Sequence, residues 1–278
     1  MPEKLMAPRM GEPPAAEKQG ERVQRTGATR VKSGIPGLDE ILEGGMPERH
    51  VILLTGGAGC GKTIFGMQFA ARGASETGGR GLFVSFEQPK EELVEQCLQF
   101  GWDLEALEAK GSFKILSFAG TSLHVARIWE AVETEIMAFK PDRLVLDSLA
   151  SLTVHLDLMT GVEILELLGV DSKDAGFMPT GDAVTRKTLM ELFKRLKSLR
   201  LTSLLITELP ENGAALSRDG VSEFLADGVI ILRYSPEKED SFSTLQVRKM
   251  RGIRHKREAF ATSLHEDGGA SVLIDSKR

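Results

Sequence analysis

The sequence has 278 residues, enough for one large domain or two small ones with a substantial buried core. Its hydrophobic fraction of 41% and charged fraction of 27% are ordinary for a globular protein. A formal net charge of -5 and an aromatic content of only 6% argue against a protein that neutralises nucleic-acid phosphates and stacks many bases.

The two cysteines, Cys60 and Cys97, have neither metal-ligand spacing nor a disulfide framework, which is typical of a reducing compartment. No apolar run reaches the roughly 18 residues that a membrane span requires. The N-terminus also lacks the apolar core of a secretion signal. These features predict a cytoplasmic protein without a membrane partner.

Residues 1–30 are rich in Pro, Glu, Lys, Arg and Gly and nearly devoid of bulky apolar side chains, so we predict a flexible extension. Residues 31–278 form one core domain in which apolar strands alternate with amphipathic helices. The predicted strands are 51–55, 81–87, 113–118, 143–147, 202–209, 228–234, 243–252 and 270–274. The predicted helical segments are 38–42, 63–76, 89–111 (helix plus loop), 122–140 and 186–200.

This alternation predicts an α/β fold with a mostly parallel twisted sheet, helices on both faces and a β-rich C-terminal part. The segment of about 154–186 is irregular and holds several Gly, Asp and Thr residues. It is interpreted either as a tolerated surface insertion or as a segment that meets a partner.

The stretch "GGAGCGKT" at 56–63 follows the apolar run "VILLT" and precedes a helical pattern. This is the full P-loop pattern, in which glycines let backbone N–H groups approach a phosphate. Lys62 is expected to reach the β- and γ-phosphates, and the Thr63 hydroxyl to ligate Mg²⁺. The predicted nucleotide-binding residues are Gly57, Ala58, Gly59, Cys60, Gly61, Lys62, Thr63 and Ile64.

Polar residues at the ends of other predicted strands point to the same crevice. Asp147 is the candidate carboxylate that holds Mg²⁺ through water, and Ser148 beside it either hydrogen-bonds there or caps a helix. Glu87 is the candidate catalytic base, and Gln88 could hydrogen-bond the same water without acting as a base. Thr207 and Glu208 are candidate sensors of the γ-phosphate.

The stretch "QVRKMRGIRHKR" at 246–257 is the most basic part of the chain. Lys249 and Arg251 are two residues apart, so on a strand their side chains would share one face. The stretch is either a solvated basic strand, a weak nucleic-acid patch, or a cationic finger that reaches a nucleotide held by another subunit. Spacing alone leaves these alternatives open.

Several segments in order along the chain resemble the KaiC and RadA branch of the RecA-like ATPases, which are P-loop NTPases. They include "SGIPGLDEILEGGMPERHVILLTGGAGCGKT", "GLFVSFEQPKEELVEQCLQFGWDL", "RLVLDSLASL", "GVSEFLADGVIILRY" and "KMRGIRH". "FGWDL" and the K-x-R-G-x-x-H tail are more similar to KaiC-like proteins than to DNA recombinases. The resemblance covers about Val31 to the C-terminus and implies a single RecA-like KaiC domain.

The resemblance implies a homo-oligomeric ring, typically a hexamer, with ATP and Mg²⁺ between subunits. The residues expected to act from the neighbouring subunit are Lys249, Met250, Arg251 and His255. Family members commonly carry two adjacent glutamates where this chain has Glu87 and Gln88, which leaves one candidate base. Ile253 stands where a small hydroxyl residue is usual.

The leading hypothesis is therefore a Mg²⁺-dependent, ring-forming ATPase that acts as a regulatory or signalling switch with an unknown protein partner. The alternatives are a DNA-acting RadA-like recombinase or motor, a Ser/Thr kinase acting on itself or a partner, and a nucleotide-gated scaffold with little turnover. The chain ends without a phosphorylation tail after the core, so we do not expect a clock role.

Overall fold

The computed structural model describes residues 29–121, 125–152, 181–210, 215–235, 242–266 and 268–274. Its helical elements are α1 (Leu38–Ile41), α2 (Lys62–Met67), a π-helical segment (Gln68–Arg72), α3 (Gly73–Thr77), α4 (Lys90–Leu98), α5 (Leu104–Ala109), α6 (Val125–Phe139), α7 (Gly181–Leu199) and α8 (Ser222–Leu225). Its strands are β1 (Arg30–Val31), β2 (Met46–Pro47), β3 (Val51–Gly56), β4 (Gly81–Ser85), β5 (Phe113–Ser117), β6 (Arg143–Asp147), β7 (Thr202–Glu208), β8 (Gly228–Ser235), β9 (Phe242–Met250), β10 (Ala259–His265) and β11 (Gly269–Val272).

A nine-stranded sheet in the order β11-β10-β9-β8-β3-β7-β6-β4-β5 dominates the described part of the chain. The strands from β8 to β5 pair in parallel, and β9, β10 and β11 continue the sheet as antiparallel neighbours. This confirms the predicted α/β class, the mostly parallel sheet and the β-rich C-terminal part.

The central strand β3 is covered on both faces, and its first four residues are accordingly apolar. Successive side chains point to opposite faces, so Ile52 and Leu54 join one core and Val51 and Leu53 join the other. The first core includes residues of α1, α2 and the π-helical segment, and the second includes residues of α6 and α7. Helices therefore lie on both faces of the sheet, as the sequence predicted.

The boundaries of several predicted elements differ in the structure. The strand predicted at 81–87 ends at Ser85, because the Ser85 hydroxyl accepts a hydrogen bond from the Gln88 N–H and turns the chain. The helix predicted from 186 begins at Gly181, so the last residues of the irregular segment are helical. Residues 153–180 of that segment lie outside the described residues, as do residues 1–28 of the predicted extension. Arg30, which was assigned to the extension, lies in β1.

The sequence reading missed β10 and α8. No residue of β10 is fully buried, so its side chains give no clear alternation of apolar and polar positions. The helix α8 has four residues, which is too short for a helical period to be visible.

Gln68 links the phosphate-loop helix to the end of the chain. Its side chain is fully buried at the start of the π-helical segment. The Nε2 atom donates to the carbonyls of Gly34 and Ala270, both at 3.0 Å, and Oε1 accepts from the Ala270 N–H at 2.7 Å. The next outward N–H of β11, that of Val272, donates to Pro36 O at 2.8 Å. The last strand is thus held against the helix that follows the P-loop.

We expect Gln68→Ala to lower the free energy of unfolding by about 2–4 kcal/mol, since it strands the buried amide and carbonyl of Ala270. Urea denaturation followed by circular dichroism measures this. The control is Gln99→Ala, which removes an exposed amide at the end of α4 and should change stability by less than about 0.5 kcal/mol. Equal losses in the two variants would contradict the role of Gln68.

Candidate functional site

The phosphate loop connects the carboxyl end of β3 to α2. Gly61 precedes the helix with φ 84°, a conformation that side chains disfavour. A Cβ at Gly56 would lie 2.5 Å from Cys60 Sγ and 2.6 Å from the Leu232 carbonyl, so the loop closes only around a glycine. A Cβ at Gly57 or Gly59 would meet no described atom within 4 Å. The loop is tight at its base and open above, as a phosphate cradle must be.

Lys62 lies over this open side of the loop. Its ammonium group donates to the Gly57 carbonyl at 2.7 Å. The side chain is only partly buried, so its charge is set beside the space above the glycines. This is the position from which a lysine neutralises a phosphate bound in the loop.

Thr63 and Asp147 meet beside the loop. The Thr63 hydroxyl donates to Asp147 Oδ2 at 2.8 Å, and Asp147 is only 3% exposed. Burial raises the pKa of Asp147 to about 6; the Thr63 hydrogen bond partly opposes this, the charge of Glu87 adds to it, and Lys62 again opposes it. Ionising this buried carboxylate costs free energy, and a bound cation would offset that cost.

The residues present fit a magnesium ion. Mg²⁺ prefers oxygen ligands and is commonly bound by one or two protein groups together with water and substrate phosphates. Thr63 and Asp147 supply a hydroxyl and a carboxylate next to the open cradle. Among the described residues, no cluster of three or more His, Cys, Asp or Glu side chains forms an all-protein metal site.

Glu87 lies two residues beyond β4, is exposed, and faces the segment after β6. Its Oε1 accepts hydrogen bonds from the hydroxyls of Ser148 and, at 2.8 Å, Ser151. Its charge acts on Asp147, so the two carboxylates share one site. Ser148 also accepts from the Ser151 N–H at 3.3 Å, so it fills both of the roles left open by the sequence.

Gln88 is held through its backbone rather than through its amide. Its carbonyl accepts from the hydroxyls of Ser85 and Ser117, at 2.8 and 2.9 Å. This pair of bonds fixes the turn that carries Glu87, a role that the sequence reading did not assign to either serine.

The two candidate sensors differ in their surroundings. Glu208 is the register partner of Gly56 and forms a 3.2 Å ion pair with Arg218, a residue that sequence reasoning missed. Thr207 is buried, and its hydroxyl has no hydrogen-bond partner among the described residues. Glu208 thus lies beside the cradle, whereas the Thr207 side chain lies within the sheet.

A cavity of about 350 Å³ adjoins the phosphate loop on the side of the C-terminal strands. Its size falls in the range of small-molecule sites. Sequence patterns did not indicate the residues of β8 to β11 that line this cavity. The lining residues are Gly59, Cys60, Gly61, Phe65, Leu232, Tyr234, Ser243, Thr262, Ser263, Leu264, Ala270, Ser271, Val272 and Leu273.

Cys60 fills a narrow space in the loop and is 5% exposed. Burial raises the pKa of its thiol, although Lys62 and the backbone N–H groups act in the opposite direction. The side chain is therefore a small neutral residue rather than a reactive thiolate.

The predicted inter-subunit residues lie at the opposite edge of the sheet. Met250 pairs with Gly228, and Gly228 pairs with Ile52 at the start of β3. The loop begins at Gly56, about 13 Å farther along the strand at about 3.3 Å per residue. The basic side chains of Lys249 and Arg251 are therefore remote from the phosphate cradle of their own chain.

The four residues predicted to act from the neighbouring subunit differ in side-chain exposure and in the bonds they make within their own chain. Arg251 is 54% exposed and pairs with Asp227, while the Lys249 ammonium donates to the carbonyls of Glu223 and Ala226 at 3.1 and 2.6 Å. The Met250 side chain is buried in the core, so only the backbone of Met250 could contact a nucleotide held by a neighbouring subunit. Both ring nitrogens of His255 are buried without a hydrogen-bond partner in the described part of the chain.

Three comparisons show which known proteins this chain is similar to. A family model described as "ATPase: KaiC" matches residues 31–177 and 166–277. Circadian clock oscillator protein KaiC 1 of Synechocystis sp. (strain ATCC 27184 / PCC 6803 / Kazusa) is 29% identical over 269 residues, covering 93% of this chain and 47% of the relative. Circadian clock protein KaiC3 of the same organism is 28% identical over 256 residues, covering 89% and 46%. The chain spans about half the length of these curated relatives.

A crystal structure of a KaiC-like protein from the hyperthermophilic archaeon Pyrococcus horikoshii OT3 matches with a TM-score of 0.72 and 33% identity, covering 89% of this chain and all of that one. In the part of the chain that the structure describes, no helix is both long and apolar enough to cross a membrane.

We expect Asp147→Asn to make the ligand-free protein more stable near neutral pH. The folded-state pKa of about 6 exceeds the ordinary 3.8, so the contribution of Asp147 to stability is full below pH 3.8 and is lost as the pH rises through 6. A difference of about 2 pKa units corresponds to about 3 kcal/mol. Asn remains neutral and can still accept the Thr63 hydrogen bond.

Urea denaturation at pH 4.5 and 7.5 measures this effect. The stability advantage of Asp147→Asn should be about 3 kcal/mol at pH 7.5 and only about 1 kcal/mol at pH 4.5. Glu91→Gln removes an exposed carboxylate at the start of α4 and serves as the control. If the free energy of unfolding changed with pH in the same way for wild type and Asp147→Asn, ionisation of Asp147 would not destabilise the folded protein.

Proposed function

Because the chain belongs to the KaiC family of ATPases, as a single KaiC domain of the RecA superfamily, we propose that it binds and hydrolyses ATP with Mg²⁺ between the subunits of a homo-oligomeric ring. The observation that carries the proposal is the separation of two complementary parts on one chain. The phosphate cradle lies at the carboxyl end of β3, and the basic residues around Arg251 lie at the opposite edge. A chain built in this way completes its site only with a second copy.

The cradle holds the phosphates of ATP through its backbone N–H groups and Lys62. The nucleoside occupies the adjoining cavity along β8, β10 and β11. Thr63 and Asp147 would hold Mg²⁺, the hydroxyl directly and the carboxylate through water, and the bound ion would supply positive charge that offsets the charge of the β- and γ-phosphates.

Glu87 orients the attacking water and accepts its proton. The hydroxyls of Ser148 and Ser151 hold the carboxylate on one oxygen, which restricts its orientation and leaves the other oxygen for the water. Gln88 hydrogen-bonds but cannot take a proton, so a single base serves the reaction. Glu208 with Arg218 lies beside Gly56 and responds to the presence of the γ-phosphate.

We further propose that the ring is hexameric, lies in the cytoplasm and acts as a slow regulatory switch for a protein partner. The net charge of -5 favours this role over that of a DNA-acting motor. A nucleotide-held scaffold with little turnover is the second candidate, because Gln88 occupies a position where a second acid would assist hydrolysis.

We expect Glu87→Gln to reduce ATP turnover by about 10²–10⁴-fold while ATP affinity is retained, since it removes the base and keeps the shape. Lys62→Ala should weaken ATP binding itself. Phosphate release and calorimetric binding separate the two effects. Glu91→Gln is the matched control for Glu87 and should leave both quantities unchanged. If wild type, Glu87→Gln and Glu91→Gln bind ATP equally and none turns it over, the scaffold is the better description.

We expect Arg251→Ala to impair turnover within intact rings, by up to about 10³-fold if it acts as an arginine finger. Turnover measured together with particle mass separates this result from loss of assembly. Arg248→Ala removes an exposed arginine of β9, three residues before Arg251, and should leave turnover within twofold. Wild-type turnover in Arg251→Ala rings would exclude the inter-subunit role.

A further inference from the structure

Asp227 gathers three parts of the chain at the edge of the sheet remote from the phosphate cradle. It lies between α8 and β8, and its side chain is 15% exposed. Oδ1 accepts from Lys197 Nζ at 2.9 Å and from Arg251 Nη1 at 3.2 Å, and Oδ2 accepts from the Val51 N–H at 3.2 Å. One carboxylate therefore bonds to α7, to the start of β3 and to the basic segment after β9.

The backbone of Asp227 repeats the same connections. Its N–H donates to the Val51 carbonyl at 2.7 Å, and its carbonyl accepts from the Arg251 N–H at 2.9 Å. Val51 and Arg251 are thus each tied to Asp227 twice. Val51 is the first residue of the strand that ends at Gly56, where the phosphate loop begins.

Arg251 is hydrogen-bonded to Asp227 and still has donors with which to bind another group. The Asp227 contact uses one of its five N–H donors, and 54% of the side chain remains exposed. The shared carboxylate fixes the direction of the guanidinium, which reduces the entropy that would be lost when it meets a phosphate. Lys249 is tied to α8 nearby, so the whole basic segment has a defined orientation.

Electrostatics is consistent with a carboxylate that stays ionised. Burial alone would raise the pKa of Asp227, but hydrogen bonds from Lys197 and Val51 and the charges of Lys197 and His50 hold it below its ordinary value. The contact with Arg251 is therefore present throughout the neutral pH range.

We propose that Asp227 is the positioning residue of the inter-subunit arginine, and that it joins Arg251 rigidly to the strand carrying the phosphate loop of the same chain. This rests on the proposed function. Each subunit then presents its finger in an orientation set by its own β3, so that neighbouring nucleotide sites are mechanically connected through one carboxylate.

The test is complementation in mixed rings of the full chain. Asp227→Asn keeps its own cradle and base but misplaces its finger, whereas Glu87→Gln keeps its finger and loses its base. In a head-to-tail ring of randomly mixed subunits, about a quarter of interfaces combine the intact cradle of one with the intact finger of the other. We expect coexpressed Asp227→Asn and Glu87→Gln to turn over ATP at about a quarter of the wild-type rate, well above either variant alone.

The reference pair is Arg251→Ala with Glu87→Gln, measured in the same way. If both pairs complement, the inference stands. If only the reference pair complements, Asp227 acts within its own site and the inference is overturned while the proposed function survives. If neither pair complements, the inter-subunit site fails and the inference fails with it.

Lys197→Met is the matched structural control, because it removes one partner of Asp227 and leaves the Arg251 contact. It should lower Tm but leave turnover per ring within twofold, with ATP affinity unchanged. A loss of turnover equal to that of Asp227→Asn would reduce Asp227 to a general structural role. Should Asp227→Asn fail to fold, Asp227→Glu displaces the carboxylate with its charge retained, and its complementation carries the same expectations.

Discussion

The rest of the structure depends on the position of β3. This strand is hydrogen-bonded to a parallel neighbour on each side and packed on both faces, so its backbone has no freedom to shift. Its carboxyl end becomes the phosphate loop, and its first residue is bonded to Asp227. The phosphate loop therefore lies at one end of this fixed strand and the basic segment lies at the other.

The charged side chains near the loop are also held in fixed positions by the sheet. Asp147 lies at the end of β6 in a nearly dry position, and its neighbours do not fully offset the cost of ionising it there. The Thr63 hydroxyl and the open cradle stand beside it. Unbalanced charge of this kind is common where a site awaits a ligand of opposite sign, because folding alone gives no reason to keep it.

The parts predicted best from sequence were those with a short-range pattern. The glycine-rich loop, the apolar run before it and the strand ending at Asp147 all carry local signals, and the structure has these elements where they were expected. The roles of Gln68 and Asp227 were missed because each depends on partners far along the chain, such as Ala270 for Gln68 and Val51 for Asp227. The cavity beside the loop was missed for the same reason, since its walls come from strands whose order in the sheet differs from their order in the sequence. Met250 shows that a motif does not reveal burial, because it lies in the basic motif and its side chain nevertheless belongs to the core.

The bonds at β11 also decide how copies of this chain can meet. An edge strand normally exposes a row of free N–H and C=O groups on which another chain can add a strand. Here Gln68 occupies both groups of Ala270, and Pro36 takes the N–H of Val272. These three groups of β11 are therefore not free to pair with an added strand. The same amide that fastens the last strand to the P-loop helix thus disfavours the addition of a strand from another chain at this border.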